Sequence, residues 1–397
     1  MNALYSTAGR AWRDAHYLAP LLPDIAGQAA EADRTRSVSA DLIARLKQND
    51  IMRLSGSPEL DGLNARVGVI GSELRAAAAA CTSTAWCLWN HLCTFHHFAG
   101  LFGPAHRDFL RDIVRARQWV CFPAGASTAV KGESRGDAMI LNGVAAFGSG
   151  GRYAEWAGVV FNEHGAGTPQ FTLVDLRDPG VRIPMSWEAM SVRASATDHI
   201  HYADVAVPQH RVVAWAPMYR ATFRDPAYAV IHPRYREDWV ALSVLWLGAM
   251  ATGVAGISFE ETADGIRDRI AILGTRMIER PTIHVNLGRA RALINAATDT
   301  VFAALAETDA RIEAGTPPTE GDYFRQCAAG MQAVLSCEEA MRLIQRVLGG
   351  NSLREGTDFE RRFRDFCAMP LHINGHVDRV TEQLGRISLG LDAQNPI

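Results

Sequence analysis

The sequence has almost no net charge. Lys and Arg together number 40 and Asp and Glu number 43, so 397 residues carry a formal charge of −3. Nucleic-acid binding proteins and polybasic membrane anchors depend on an excess of positive charge. The balance therefore excludes nucleic acid and an anionic membrane surface as principal partners.

Cysteine is scarce and irregularly placed, with seven residues and no C-x-x-C pair. Zinc sites and redox-active dithiols need closely spaced cysteines, and secreted scaffolds need a regular set. We therefore expect reduced thiols, no metal site and a cytoplasmic protein. The first twenty residues have no apolar segment typical of a secretory signal, and we also expect no membrane-spanning helix.

Motifs that bind phosphate or activate a serine are missing as well. The run from Gly148 to Gly151 lacks the G-x-G-x-x-G spacing and does not begin a helix between two strands. Phe147 occupies the first glycine position of a G-x-S-x-G motif. The histidines within residues 91–97 are not at the i, i+4 spacing of helical metal ligands. The sequence thus predicts neither a dinucleotide fingerprint, nor a serine hydrolase, nor a zinc site.

What the sequence does contain is a pattern that changes twice. Residues 1–117 show helical spacing of apolar residues. Residues 118–214 consist of short apolar runs separated by Gly, Pro, Asp and Ser, which is typical of antiparallel strands. Residues 215–397 return to long helical stretches. We predict three domains with these bounds: an N-terminal α-helical domain, a central antiparallel β-barrel or sandwich, and a C-terminal four-helix bundle.

The apolar helix of the first domain carries candidate pocket residues. Trp86 and Trp89 are helical neighbours on one face, so they form either core packing or the aromatic wall of a ligand pocket. His97, on the same helix, either packs in the core or faces a cavity.

Five segments match a set of motifs that occur in a fixed order. They are CTSTAW at 81–86, WVCFPAGAS at 119–127, GVAAFGSGGRYAEW at 143–156, SVRASATDHIHYADVAVP at 191–208 and RRFRDFCAMPLH at 361–372. In this order they resemble the acyl-CoA dehydrogenase fold. Within that fold the chain is most similar to the two-component flavin-dependent monooxygenases, which hydroxylate aromatic compounds.

The resemblance implies a flavin site assembled from distant parts of the chain. The cofactor would be reduced FMN or reduced FAD, which reacts with O₂ to form a C4a-hydroperoxide. The residues that the resemblance places at the flavin are Cys121, Ser127, Phe147, Gly148, Ser149, Arg193, Ser195, Arg346, Gly349 and Gly350. Arg346 replaces the glutamine that acyl-CoA dehydrogenases carry before the two glycines.

The resemblance also implies catalytic and substrate-binding residues. The motif at 361–372 ends on His372, and this histidine lines the flavin and substrate site in the monooxygenases. A histidine suits proton transfer near neutral pH, so His372 is the first catalytic candidate, with His97 and Ser149 as the others. The alternative is that His372 only caps or packs the last helix. Trp86 and Trp89 would line the substrate pocket, and Ala145, which replaces a family tryptophan, would enlarge it.

Partners follow from the same resemblance. We expect a homotetramer, a separate NAD(P)H-dependent flavin reductase and a small aromatic or polycyclic substrate. N-oxidation of an amine or amino sugar is also known in this fold, and a flavin-fold protein without redox activity is a further alternative.

An acyl-CoA dehydrogenase is the main rival. That reaction needs a carboxylate base, and Glu355 in the segment REGT, or Glu260 or Glu261 on an earlier helix, could supply it. The segment at 361–372 follows the monooxygenase pattern, which favours the oxygenase.

Overall fold

A computed structural model of the chain describes residues 14–125, 129–163, 168–215, 225–271 and 274–393. The described part begins with five α-helices, as the helical spacing predicts. They are α1 (Leu22–Thr35), α2 (Ala40–Gln48), α3 (Val67–Ala80), α4 (Thr82–Phe102) and α5 (Arg107–Arg115).

The helix α4 is the central element of this part. All 21 of its residues are buried, because it is apolar around its whole circumference. It begins directly after α3 and ends at Gly103, whose φ of +60° suits glycine.

Eight strands follow: β1 (Val120–Cys121), β2 (Ala129–Arg135), β3 (Ala138–Gly148), β4 (Trp156–Glu163), β5 (Gln170–Asp175), β6 (Val181–Arg182), β7 (Asp198–Pro208) and β8 (Val213–Ala214). Their order across the sheet is β6-β7-β3-β2-β4-β5-β8, and β1 pairs with β4. The pairings are antiparallel except for β1 with β4 and β2 with β4. The sheet is therefore mixed. Strand β2 lies between β3 and β4, and it pairs antiparallel with β3 and parallel with β4.

The C-terminal part consists of α6 (Trp239–Arg267), α7 (Pro281–Glu313), α8 (Glu320–Leu348), α9 (Asp358–Phe366) and α10 (Val377–Ser388). Their starts follow the capping rules. The carboxylate of Asp238 accepts a hydrogen bond from the Val240 N–H at 2.8 Å, and Thr319 and Asp322 form a capping box.

The bundle extends beyond the C-terminal helices. Helices α6, α7, α8 and α10 pack together, and α3 and α4 pack on α6 within the largest apolar core. Glycines allow the closest approaches. A Cβ at Gly330 would lie 2.3 Å from the Val244 carbonyl oxygen, and one at Gly253 would lie 2.2 Å from the Arg75 carbonyl oxygen. The predicted order of helices, sheet and bundle is confirmed.

One helix of the described part bears on the expectation about membrane spans. Trp239–Ile266 is long and apolar enough to cross a membrane, with a mean hydropathy of 1.9. Of its most apolar stretch, however, 94% is buried inside the protein. Burial by α3, α4, α7 and α8 makes it the core helix of the bundle.

Candidate functional site

A cavity of about 520 Å³ lies where α4, the sheet and the segment after α9 meet. Trp86, Trp89, Asn90, Cys93 and Thr94 of α4 form one wall. They occupy positions i, i+3, i+4, i+7 and i+8 and therefore share one face of the helix. The cavity has a size typical of small-molecule sites.

The wall opposite α4 comes from the ends of β3 and β7 and from the loop before β7. Phe147 and Val192 line the cavity with backbone φ angles of +62° and +42°, and Ala196 nearby has a φ of +48°. Positive φ is uncommon for residues other than glycine, and for valine it is a genuine outlier. Such backbone strain concentrates at functional sites.

Two sets of hydrogen bonds hold this loop in place. The Gly150 N–H donates to the Ser195 carbonyl oxygen at 2.8 Å, which ties the loop to the end of β3. The Val192 N–H donates to the carboxylate of Asp365 at 2.7 Å, and the Ser191 hydroxyl donates to the Asp365 carbonyl oxygen at 3.0 Å. Burial raises the pKa of Asp365 to about 7. Asp365, from the motif at 361–372, thus acts as a support for the cavity wall.

His372 lies in the cavity wall against the two tryptophans of α4. Its ring centroid is 4.7 Å from that of Trp89 at an interplanar angle of 81°, and 5.7 Å from that of Trp86. Its Nδ1 accepts a hydrogen bond from the Asn374 N–H at 3.3 Å, which assigns the proton of the neutral ring to Nε2. Desolvation, with a smaller contribution from the positive charge of Arg379, lowers the pKa of His372 to about 4. At neutral pH the ring is therefore an uncharged N–H donor.

A chain of hydroxyl groups lies beside Trp86. The indole Nε1 of Trp86 donates to the Ser149 hydroxyl at 3.2 Å. The Ser149 and Thr197 hydroxyls are 2.9 Å apart, and the Thr197 and Ser195 hydroxyls are 2.6 Å apart. Ser149 and Thr197 line the cavity. They offer the site a neutral polar edge.

Several predicted flavin residues lie away from the cavity. Cys121 is fully buried in the core between the strands. Gly148 pairs with Asp198 across the sheet, and Arg193 lies 3.7 Å from the carboxylate of Asp33. Ser195 is not among the lining residues, but its hydroxyl contacts that of Thr197, which lines the cavity. Ser127 lies outside the described residues.

The predicted residues at the end of α8 are also outside the cavity wall. Arg346, Gly349 and Gly350 are exposed on the surface of this chain.

The predicted pocket residue Ala145 is not among the described residues that line the cavity. It is fully buried in the core between the strands, opposite Ile200. The pairing of β3 with β7 shifts register between Ala145 and Gly148. This irregularity changes which side chains face the cavity, so that Phe147 lies there instead.

His97 lies behind the cavity wall among aromatic rings. It stacks on Trp239 at 4.7 Å and contacts the edge of Trp215 at 5.2 Å. Trp239 lines the cavity, whereas His97 does not. Burial lowers the pKa of His97 to about 3. The placement favours packing over catalysis for this residue.

We predict that His97 makes the protein sensitive to acid. The folded protein keeps the ring neutral, whereas the unfolded chain takes up a proton below a pKa of about 6.5. Stability is thus fully present above pH 6.5 and is lost as the pH falls towards 3. At pH 5 the cost from this one group is about 2 kcal/mol.

Urea unfolding at pH 7 and pH 5 measures this effect. We expect His97→Phe to reduce the loss of unfolding free energy between the two pH values by about 2 kcal/mol. His201→Gln, at an exposed position, serves as the control and should match the wild type. An unchanged loss in His97→Phe would show that the buried ring does not resist protonation.

The carboxylates that a dehydrogenase could use are also outside the cavity wall. Glu355 is exposed in the turn before α9. The side chain of Glu260 forms an ion pair with Arg291 at 2.7 Å, and Glu261 pairs with Arg362. Among the residues that the structure describes, no carboxylate lines the cavity.

Sequence reasoning missed several residues of the cavity wall. Asn90, Cys93 and Thr94 continue the helical stripe that begins at Trp86, so the spacing alone could have indicated them. Trp239 and Asn374 come from the bundle, and no local pattern indicates that they meet α4.

Comparisons with known proteins agree with the fold. The family described as acyl-CoA dehydrogenase, C-terminal domain, matches residues 245–376. A pigment production hydroxylase of Rhodococcus sp. (strain ATCC 21145) is 24% identical over 95% of this chain and 96% of its own length. The oxygenase subunit HsaA of a flavin-dependent monooxygenase of Rhodococcus jostii (strain RHA1) is 25% identical over 94% of this chain and 97% of its own length.

A solved structure shows the same fold over nearly the whole chain. XiaF from Streptomyces sp., in complex with FADH2 and glycerol, matches with a TM-score of 0.85 at 20% identity, covering 98% of this chain and 97% of its own.

Proposed function

We propose that this chain, which has the acyl-CoA dehydrogenase fold, is the oxygenase component of a two-component flavin-dependent monooxygenase that hydroxylates an aromatic compound. The observation that carries the proposal is the cavity wall. Trp86, Trp89 and His372 converge in it, and no carboxylate lines it among the described residues. Relatives of full length whose names are those of a hydroxylase and a flavin-dependent oxygenase support the same conclusion.

The residues of the cavity fit the ring system of a flavin. Apolar side chains form the broad walls, and the hydroxyls of Ser149 and Thr197 can hydrogen-bond the polar edge of the ring. A reduced flavin bound there would supply oxygen activation and oxygen transfer. The described residues of the cavity fit the ring system that FMN and FAD share.

The protein's own residues hold the substrate and exclude water. Trp86 and Trp89, whose ring centroids are 5.0 Å apart, present an aromatic surface on which a planar substrate can pack. His372 offers its Nε2 proton as a hydrogen-bond donor at the same place. Because the wall is mostly apolar, bound substrate displaces water from the site.

The cavity disfavours the dehydrogenase alternative. Removal of a proton next to a thioester carbonyl requires a base that touches the substrate. Glu260 and Glu261 are engaged by arginines, and Glu355 is exposed outside the cavity. His372, with a pKa near 4, is too weak a base for that step.

We extend the proposal to the partners. A separate NAD(P)H-dependent reductase would deliver reduced flavin, since the sequence has no dinucleotide fingerprint. We also propose a cytoplasmic homotetramer. Exposed apolar side chains on the C-terminal part, among them Val285 and Leu353 at 59% and 71% exposure, support association between copies.

Anaerobic titration with flavin tests the proposal. The protein should bind reduced flavin at least about tenfold more tightly than oxidised flavin, because it receives the reduced form from the reductase. Tight binding of oxidised flavin, together with reduction by an acyl thioester, would instead establish a dehydrogenase.

A further inference from the structure

Three sulfur side chains belong to the cavity wall. They are the thiols of Cys93 and Cys367 and the thioether of Met190. Reduced sulfur takes up oxygen from peroxides, and methionine is converted to its sulfoxide in this way. A cavity in which oxygen is activated therefore has oxidisable atoms in its own wall.

The two thiols are poor targets for an oxidant. The thiolate is the reactive form of cysteine, and burial raises the pKa of both Cys93 and Cys367, so that each stays protonated at neutral pH. Each thiol also donates to a backbone carbonyl oxygen, that of Cys93 to Asn90 at 3.4 Å and that of Cys367 to Phe363 at 3.3 Å. Both are therefore weak nucleophiles in this wall.

Met190 has neither form of protection. A thioether has no proton to lose, so its reactivity does not depend on a pKa. Met190 is 57% exposed, and among the described methionines only Met185, at 55%, is similarly exposed. The backbone at this point is fixed, because the Met190 carbonyl oxygen accepts a hydrogen bond from Arg364 at 2.7 Å and the Ser191 hydroxyl donates to the Asp365 carbonyl oxygen at 3.0 Å. The thioether side chain is thus held at the cavity and is largely open to solvent.

We propose that Met190 is a site of oxidative modification: when no substrate occupies the cavity, its thioether accepts the activated oxygen and becomes methionine sulfoxide. This inference rests on the proposed function, which supplies the oxidant as a hydroperoxide bound in the cavity. The O–O bond of the hydroperoxide breaks, and its distal oxygen bonds to the sulfur. The proton of that oxygen passes to the remaining oxygen, which leaves as a hydroxyl group. The sulfur loses two electrons and the hydroperoxide gains them.

The modification changes the chemistry of the wall. It converts a flexible apolar side chain into a polar one. Met190 lies next to Ser191 and Val192, which also line the cavity, and Val192 has the strained φ of +42°. An apolar wall keeps water out of the site, so the sulfoxide should make the transfer of oxygen to a substrate less efficient. Met190 therefore limits the activity of a protein that reacts with oxygen in the absence of substrate.

Met185 provides a matched control for the modification. It lies in the same segment between β6 and β7 and is equally exposed, but it is not among the described residues that line the cavity. The protein is allowed to oxidise reduced flavin in air without substrate, in the presence of catalase to remove free hydrogen peroxide, and peptide mass spectrometry measures both sulfoxides. We expect Met190 to be oxidised at least about tenfold faster than Met185, because an oxidant bound beside its target acts at a high effective concentration. Hydrogen peroxide added to the flavin-free protein should oxidise the two residues at rates within about twofold of each other.

Two variants measure the consequence of the modification. Met190→Leu keeps the approximate volume and removes the sulfur, and Met185→Leu is its control. After the same treatment, the wild type and Met185→Leu should form at least about twofold less product per flavin oxidised than before it. Met190→Leu should keep its own initial yield, and methionine sulfoxide reductases should restore that of the wild type.

Three results would overturn the inference. They are equal oxidation of Met185 and Met190 during flavin oxidation, oxidation of Cys93 or Cys367 in place of Met190, and a loss of yield in Met190→Leu as large as in the wild type. Binding of reduced flavin is measured in the same samples. A protein that binds reduced flavin but oxidises both methionines equally contradicts this inference alone, whereas failure to bind reduced flavin contradicts the proposed function together with it.

Discussion

A His372→Phe variant should form product at about one-hundredth of the wild-type yield per flavin oxidised, while it still consumes oxygen and releases hydrogen peroxide. Phenylalanine keeps an aromatic ring against Trp86 and Trp89 and removes the Nε2 proton. Because the pKa of His372 is about 4, the group lost at neutral pH is an uncharged donor. The ratio of product to peroxide under single-turnover conditions measures the effect.

Two comparisons separate this role from packing. His372→Gln restores an N–H donor without the ring and should recover part of the yield. The binding of reduced flavin and the thermal midpoint should change little in both variants. A normal product yield from His372→Phe would remove His372 from the chemistry and leave it as the cap of the short turn at Ile373–Gly375.

Arg311→Leu should lower the free energy of unfolding by about 3–5 kcal/mol, the largest effect on stability that we expect. Arg311 binds both carboxylate oxygens of Glu237 at 2.8 Å, and the Glu237 side chain is only 2% exposed. Removal of the arginine leaves the Glu237 carboxylate buried. The amide of Gln326, which donates to Glu237 Oε2 at 2.9 Å, then remains as the polar partner of that oxygen. Glu237 lies two residues before Trp239, so the loss also loosens the cavity wall.

A surface pair provides the matched control. Arg325 pairs with Glu307, and these side chains are 62% and 47% exposed. Arg325→Leu should therefore change the free energy of unfolding by less than about 1 kcal/mol. Urea unfolding of the two variants, with Arg311→Leu/Glu237→Leu as a third, makes the comparison. If Arg311→Leu costs no more than Arg325→Leu, the buried pair does not hold the start of α6.

The order of helices, sheet and bundle could be predicted because each part has its own apolar period. A long helix buries its apolar face, so Trp86 and Trp89, which share a face, could be predicted to lie in the interior. Whether that face met a cavity or the core depended on α6 and on the segment at His372, which lie far away in the sequence. Long-range packing of this kind leaves no local pattern.

The length of α4 and the irregular pairing of β3 explain why His97 and Ala145 lie outside the cavity wall. His97 is eleven residues after Trp86 and so faces the same side of α4, but about 16 Å further along the axis. That displacement puts it beyond the cavity. In β3 the irregular pairing after Ala145 changes the alternation of side chains, and Phe147 rather than Ala145 comes to the cavity. Neither effect can be predicted from the residue types of the motifs alone.

The central claim is that this cavity binds reduced flavin and lets it transfer oxygen. The most direct measurement mixes the protein, loaded anaerobically with reduced flavin, with oxygenated buffer in a stopped-flow spectrometer. The account predicts a flavin spectrum that is neither reduced nor oxidised and that persists for many turnover times when no aromatic substrate is present. Direct conversion from the reduced to the oxidised spectrum, at the rate of free flavin, would contradict it.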